Sequence, residues 1–284
     1  MLFRSYNNRP GCTYCGFCQA FGCHVGAKSS ILVTKLPEAD ATKNFKLITG
    51  AMVYKINTDS AGKATGVNYY GPNGSDETIE ADLVIVAPFI YDNVRLLLLS
   101  KQGGLANSSG HLGKHMMAHI GTRAFAIFDD RHVNIYMGPS AQRHCIDDFN
   151  ADNFDHKDLG FIRGAQISIG TPTLQGGPIS FSIIPPPPGT PRWGAAYRDF
   201  LAKNYARHGV MVAQTENLPY ADQTLDLDPN VKDMWGLPAT RITYDFRRPN
   251  EMARVEFMYK KMEEIGRAMG APLVWRAPLP PGAP

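Results

Sequence analysis

Four of the five cysteines lie within one short stretch near the start of the chain. They are Cys12, Cys15, Cys18 and Cys23, and their spacing is C-x2-C-x2-C-x4-C. Thiolates this close in sequence can converge on one metal centre, because short loops bring ligands together at a small entropic cost. Cysteine runs of this general kind hold iron–sulfur clusters. The spacing therefore makes a metal or iron–sulfur site the first candidate chemistry.

Three other interpretations of these cysteines stay open. Zinc sites usually pair two cysteines with a distant second pair, and Cys145 is the one cysteine left over. Two disulfides would also use four cysteines, and four reduced structural thiols would need no partner at all. The spacing alone does not decide between these alternatives.

Composition places the chain among ordinary globular proteins. It has 284 residues, of which 44% are hydrophobic and 19% are charged, enough for one large or two medium domains. The net charge is +3 without a basic block, so nothing indicates nucleic acid. No apolar run approaches the roughly 18 residues of a membrane span, and MLFRSYNNRP lacks the apolar core of a signal peptide. The compartment is not indicated.

The first part of the chain has a strand-rich pattern that ends in a helix. Residues 28–38 predict a short strand and a helix, and residues 45–59 predict a strand, a turn and a second strand. Residues 64–71 predict a third strand, closed by the turn Gly71–Gly74. The segment DETIEADLVIVA ends in an apolar run typical of a strand buried on both faces, and Asp92 is expected to cap a helix through Leu99. This order is typical of α/β nucleotide-binding domains.

From about Ile120 the pattern predicts a large, mostly antiparallel sheet with helices on one side. The predicted strands are GTRAFAIFDD, VNIYMG, GFIRGAQISIG, PISFSIIPPPP, HGVMVAQTENLP and ATRITYDF. Trp193–Tyr205 and Glu251–Met269 predict helices, the second with a solvated face of Glu251, Glu256, Lys260 and Glu264. Pro185–Pro188 predicts an extended loop.

Two further groups of side chains could carry chemistry. His111, His115 and His119 are spaced i, i+4, i+8, which would align them on one helical face, with packing favoured over a metal role. No glutamate follows His115 as in HExxH, because Met116 stands there. The aromatic residues Trp193, Tyr197 and Trp235 could line a sugar or alcohol pocket, although core packing is the favoured explanation.

An ordered series of segments carries a family resemblance. NRPGCTYCGFCQAFGCHVGAKSS, LVTKLPEA, NFKLITGAMVYKI, GVNYYG, ADLVIVA, RLLLLS, GLANSSGHLGKHMMAH and KDMWGLPATRITYDF follow one another along the chain. Together they resemble the interior of an FAD-dependent GMC (glucose–methanol–choline) oxidoreductase. The branch is that of the gluconate 2-dehydrogenase large subunit and choline-dehydrogenase-like flavoproteins. The resemblance covers nearly all of the chain.

The resemblance implies a fold, a cofactor and a reaction. It implies a mixed α+β chain, with a partial FAD-binding α/β domain in residues 1–119 and a substrate domain in residues 120–284. The position of Val53 in AMVYKI implies that its backbone faces the adenine of FAD. The reaction implied is hydride transfer from the CH–OH group of a sugar, sugar acid or alcohol to the flavin. Some relatives with a cysteine loop pass electrons through an iron–sulfur cluster to a cytochrome partner, with Cys12, Cys18 and Cys23 better placed than Cys15.

The sequence also departs from the family pattern. It contains no GxGxxG, and the turn Ala87–Asp92 lacks the expected glycine. None of the eight histidines matches the family's catalytic histidine, which is expected beyond the last residue. We therefore expect an internal piece of a GMC enzyme, inactive by itself. The alternatives are a non-catalytic structural remnant and a metal-binding module built on the cysteine loop.

Overall fold

The computed structural model describes residues 9–18, 21–133, 143–170 and 184–279. The chain forms two compact units. Unit 1 comprises Met1–Asn44, His119–Asn217 and Phe246–Gly282, and unit 2 comprises Phe45–Ala118, Leu218–Asp245 and Ala283–Pro284. The described helices and antiparallel strands confirm the predicted α+β class.

Each unit is made of segments that are separate in the sequence. The predicted boundary near residue 119 coincides with the junction between Ala118 and His119. The cysteine stretch, however, falls in unit 1, and the segment Leu218–Asp245 falls in unit 2. The assignment of flavin and substrate domains to the two halves of the chain stays a prediction.

Four helices and ten strands are described. In chain order the helices are α1 (Lys35–Ala41), α2 (Ile90–Ser100), α3 (Gly194–Asn204) and α4 (Pro249–Ala268). The strands are β1 (Met52–Thr58), β2 (Ala64–Tyr70), β3 (Asp76–Glu80), β4 (Ile120–Ile127), β5 (His144–Ile146), β6 (Ala165–Gly170), β7 (His208–Thr215), β8 (Thr224–Lys232), β9 (Pro238–Thr243) and β10 (Leu273–Arg276). None of the described helices is long and apolar enough to cross a membrane.

Unit 1 is built on an antiparallel sheet with the strand order β10-β4-β7-β6-β5. One face of this sheet packs against α4, whose buried residues Val255, Met258 and Met262 recur at the spacing of one helical stripe. The facing residues of β4 include Ala124 and Ala126, which are small enough for the helix to approach closely. Strands β4, β6 and β7 form in the segments GTRAFAIFDD, GFIRGAQISIG and HGVMVAQTENLP, where strands are predicted, although each strand is shorter than its segment.

The opposite face of the same sheet carries a second apolar cluster. Phe125, Val210 and Trp275 are buried there, and Phe200 of α3 packs against them. The Trp275 indole N–H donates to the carbonyl of Pro185 at 2.9 Å. The expectation of helices on one side only is therefore wrong, because alternate residues of β4 and β7 are apolar on both faces.

The predicted solvated face of α4 is wrong at one position. Glu256, Lys260 and Glu264 are exposed as predicted, but Glu251 is fully buried. Its carboxylate lies 3.8 Å from the guanidinium of Arg254, which is also fully buried. A buried carboxylate needs such a partner, and the partner one turn away draws Glu251 into the interior.

Unit 2 contains a three-stranded antiparallel meander, β1-β2-β3. The predicted first strand at residues 45–49 does not form, and the apolar run at residues 82–88 is irregular. Leu83 and Ile85 are 74% and 80% exposed, so the prediction of a strand buried on both faces is wrong. Such a strand needs a neighbour for its backbone and cover on both faces, and the described residues supply neither at this position.

Two helix starts differ from the prediction. Residues 28–38 form a short 3-10 turn, Ile31–Val33, and then α1, so the predicted strand is absent there and the helix is confirmed. The N-cap of α2 is Phe89. Asp92 lies in the first turn, where its negative charge interacts favourably with the helix dipole, but it does not cap the helix.

Two predicted strands lie mostly outside the described residues. They are the strands predicted at residues 178–188 and 133–138.

His208 makes unit 1 sensitive to acid. The imidazole is fully buried at the start of β7 and contacts the Tyr205 carbonyl at 3.0 Å. Burial lowers its pKa to about 4. The unfolded chain binds this proton near pH 6.5, so the folded state loses up to about 3 kcal/mol as the pH falls from 6.5 towards 4.

We predict that His208→Gln removes most of this loss. Urea unfolding at pH 7 and pH 5 measures it, with the exposed His132→Gln as the matched control. An equal decrease in stability between pH 7 and pH 5 in the His208→Gln variant would show that other groups cause the acid sensitivity.

Candidate functional site

An apolar cleft of about 340 Å³ lies in unit 2 beside the three-stranded sheet. Its lining comes from β1, β2, β3, the loop that follows and α2: Val53, Val67, Ile79, Leu83, Val86 and Leu96. Val53 is 36% exposed, so its side chain is accessible to a ligand. A flat, weakly polar ring fits the chemistry of this lining.

The backbone around Val53 is also available to a ligand. β1 is an edge strand of its sheet, so one side of its backbone has no strand partner among the described residues. The pairing of β1 with β2 skips Tyr54, since Val53 faces Tyr69 and Lys55 faces Asn68. A bulge of this kind redirects backbone and side chains locally. The edge strand, the bulge and the apolar cleft together fit an adenine ring held at Val53.

In the turn before α2, Phe89 adopts a backbone conformation that usually requires glycine. Phe89 has φ 81° and ψ 161°, a region that is essentially restricted to glycine. Its side chain is 67% exposed and contacts Tyr91 edge-on, with ring centroids 5.3 Å apart. The glycine missing from the sequence at Ala87–Asp92 is thus replaced by a strained phenylalanine.

The cysteines of the loop form no disulfide in this structure. Cys12, Cys15, Cys18 and Cys23 are half-buried and form no disulfide, and neither does Cys145. Among the described residues, which omit 19 and 20, no group of three cysteine, histidine or acidic side chains is arranged to hold a metal ion. The four cysteines stay predicted ligands on the basis of their chemistry.

Cys23 has the surroundings of a thiolate ligand. The backbone N–H of Lys28 lowers the pKa of the Cys23 thiol most, and those of Val25, Gly26 and Ala27 act in the same direction. A cysteine must be deprotonated to bind a metal, so this turn fits a ligand position. Cys12 has a weaker feature of the same kind, since its sulfur accepts the N–H of Tyr14 at 3.3 Å.

The three histidines do not lie on a helix. Gly110 and Gly113 have φ of 70° and 75°, and His115 has φ 59°, which excludes a continuous helix. His111 Nδ1 lies 3.1 Å from His115 Nε2, and His115 Nδ1 lies 2.9 Å from the Pro219 carbonyl. His119 instead contacts the Thr215 carbonyl at 3.1 Å. The predicted alignment on one helical face is therefore wrong.

The three aromatic residues of the predicted pocket belong to different units, Trp193 and Tyr197 to unit 1 and Trp235 to unit 2. Trp235 stacks on Tyr70 with centroids 5.2 Å apart, and Tyr70 stacks on Tyr54 at 4.6 Å. Trp193 is 84% exposed beside the start of α3. Packing, the alternative considered for these residues, accounts for Trp235.

The sheet of unit 1 carries a row of polar residues that the sequence analysis does not identify. Arg123 of β4 and Ser168 of β6 both face Val212 of β7, and Cys145 of β5 faces Ser168. Alternation along β4 could have indicated that Arg123 points away from Ala124. The row itself depends on the strand register, which the sequence does not give.

The comparisons with known proteins identify the family. No family model matches the chain. A gluconate 2-dehydrogenase flavoprotein of Pantoea cypripedii is 34% identical over 276 residues, which cover 95% of this chain and 44% of the relative. A 2-methyl-1,2-propanediol dehydrogenase of Mycolicibacterium austroafricanum is 30% identical over 265 residues, covering 88% and 45%. An uncharacterized GMC-type oxidoreductase of Mycobacterium tuberculosis is 35% identical over 123 residues, covering 43% and 18%.

The chain is a GMC oxidoreductase-like protein. The family resemblance inferred from the sequence is thereby confirmed. The chain spans less than half the length of the curated relatives it matches, 44% and 45% for the first two.

We predict that Phe89→Gly stabilises this GMC-like chain relative to Phe89→Ala. Both variants remove the ring, but only glycine relieves the strain at φ 81°, which should be worth about 1 kcal/mol. The difference in urea midpoint between the two variants measures this relief. Equal stabilities of the glycine and alanine variants would contradict a strained turn.

Proposed function

We propose that this chain is part of an FAD-dependent dehydrogenase that oxidises the CH–OH group of a sugar, sugar acid or other alcohol. The observation that carries the proposal is the similarity to a gluconate 2-dehydrogenase flavoprotein across 95% of the chain. The cleft at Val53 supports it, because an apolar lining and an open backbone edge suit the adenine part of FAD. When bound, FAD would supply the hydride acceptor.

The residues of this chain would contribute binding more than proton transfer. In this proposal the backbone of Val53 holds the adenine, and Leu83, Val86 and Leu96 exclude water from one side of it. The first part of the chain, residues 1–119, would serve the flavin and the second, residues 120–284, the substrate. No histidine of this chain matches the family's catalytic base, so we expect no turnover from this chain alone.

The cysteine loop supports a second role within the same enzyme. We propose that Cys12, Cys18 and Cys23 bind an iron–sulfur cluster, with Cys15 as the less favoured ligand. The lowered pKa of Cys23 supports a thiolate there, and the exposed aromatic residues Phe17 and Phe21 pack edge-on at 5.5 Å within the loop. Such a cluster would pass electrons to a cytochrome or other acceptor partner. Zinc at the same cysteines is the competing proposal.

We predict that the folded wild-type chain binds FAD and that Val53→Asp weakens binding by at least about tenfold, because a carboxylate in the apolar cleft repels the ligand. Titration followed by flavin fluorescence measures the affinity. Val231→Asp is the matched control, since Val231 is 56% exposed in the same unit and does not line the cleft. A folded wild-type chain that binds no FAD would favour the structural remnant.

We also predict that anaerobic reconstitution with iron and sulfide gives the chain visible absorbance and bound iron. Cys23→Ser should lose most of the iron, because it removes the thiolate that the surrounding N–H groups favour. Cys145→Ser is the control and should retain it. A colourless, iron-free wild-type chain would exclude the cluster, and zinc found by elemental analysis would favour the zinc module.

A further inference from the structure

His111 and His115 face each other through their ring nitrogens, although they do not share a helix. The Nδ1 atom of His111 lies 3.1 Å from the Nε2 atom of His115. The ring centroids lie 5.1 Å apart, and the ring planes are tilted by 43°. Within the part of the chain that the structure describes, no third cysteine, histidine or acidic side chain completes a metal-binding group with them. The structure thus brings together two potential ligands of a metal ion.

The carbonyl of Pro219 determines which nitrogen of His115 carries a proton. This carbonyl lies 2.9 Å from His115 Nδ1, and since a carbonyl can only accept, Nδ1 donates. In the neutral ring the lone pair is then on Nε2, which is the atom that faces His111. Histidines that bind metals usually donate their other ring N–H in this way, because the hydrogen bond fixes the tautomer and the ring orientation. His115 is therefore already oriented as a metal ligand.

Backbone contacts hold the loop that carries the two histidines. The N–H of Leu225 donates to the carbonyl of Gly113 at 2.7 Å, and the N–H of Met116 donates to the carbonyl of Gln223 at 3.0 Å. A Cβ at Gly113 would collide with the carbonyl oxygen of Leu225, so this close approach requires glycine. His115 has φ 59°, which is uncommon for a residue other than glycine. All of these residues belong to unit 2, so the loop is fixed within that unit.

The distance between the two nitrogens suits neighbouring ligands of one metal ion. Metal–nitrogen bonds of about 2.1 Å to two atoms 3.1 Å apart enclose an angle of roughly 100° at the metal. Both lone pairs must turn towards the ion, and the exposed ring of His111 has room to turn. In the neutral pair, His111 Nδ1 donates to His115 Nε2. On metal binding that proton would move to His111 Nε2, which leaves a lone pair on Nδ1.

We propose that His111 and His115 bind a divalent transition-metal ion through Nδ1 and Nε2, with water in the remaining coordination positions. Neutral imidazole suits zinc, copper and nickel, and the usual order of affinities places copper first. The cysteine loop belongs to unit 1, whereas both histidines belong to unit 2, so the two sets of ligands can be tested separately. The proposal does not depend on flavin binding.

Calorimetric titration of the full chain with nickel(II) chloride, without an affinity tag and after removal of metals with a chelator, tests this site. We expect His111→Gln and His115→Gln each to weaken nickel binding at the pair by at least about tenfold. His119→Gln, at the third exposed histidine of the same segment, should retain it. Every variant keeps the four cysteines of the loop, so the difference between variants reports the histidines. Equal nickel binding by the wild type and His111→Gln, or its loss in His119→Gln, would overturn the proposal.

Urea unfolding separates loss of the site from loss of the fold. The side chain of His111 is exposed, so His111→Gln should unfold at the wild-type midpoint when no metal is present. Added nickel should raise the midpoint of the wild type but not that of His111→Gln, because only the folded pair binds the ion. An equal rise in both proteins would assign the ion to other ligands and overturn the proposal. If His115→Gln does not fold, His111→Gln decides the question alone.

Discussion

The hydrogen bonds and the ion pair made by the buried guanidinium of Arg254 are the interactions that connect helix α4 to the sheet of unit 1. It donates to the carbonyls of Ile162 and Glu216, which lie just before β6 and just after β7, and it pairs with Glu251. Glu216 in turn accepts the N–H of Gly164 at 3.1 Å. Removing one member of such a buried pair leaves an uncompensated charge, typically at a cost of about 3–5 kcal/mol. Helix α4 and two neighbouring strands are therefore fixed by charge as well as by apolar packing.

Because side chains alternate along each strand, the two faces of this sheet have different surroundings. On one face, Ala124, Ala126 and Ala213 allow α4 to approach and bury its methionines. On the other face, Phe125, Val210 and Trp275 form the second apolar cluster, and Arg123 lies two residues before Phe125 on β4. A rigid strand positions a side chain more accurately than a loop does, because packing on the opposite face holds its backbone.

The features that the sequence predicts correctly are those that depend on residues close together in the chain. The strands β4 and β7 and the helix α4 follow from apolar periodicity, and the cysteine spacing and the family resemblance were visible in the sequence. The prediction of a buried strand at Leu83–Val86 is wrong because apolar periodicity does not show whether a neighbouring strand will be present. Glu251 was misjudged because its burial depends on Arg254 and on backbone carbonyls far away in sequence. The row of Arg123 and Ser168 depends on strand register, which composition and spacing do not encode.

The two candidate ligand sites rely on different physical effects, and this decides how each can fail. The cleft at Val53 depends on apolar surface and an open strand edge, so a charge introduced there disrupts it and added salt should change it little. The cysteine loop depends on deprotonated thiols, so metal binding there should weaken as the pH falls. Each site lies within one of the two compact units, and the residues that form it belong to that unit alone. The dependence on pH therefore separates metal binding at the cysteine loop from flavin binding at Val53.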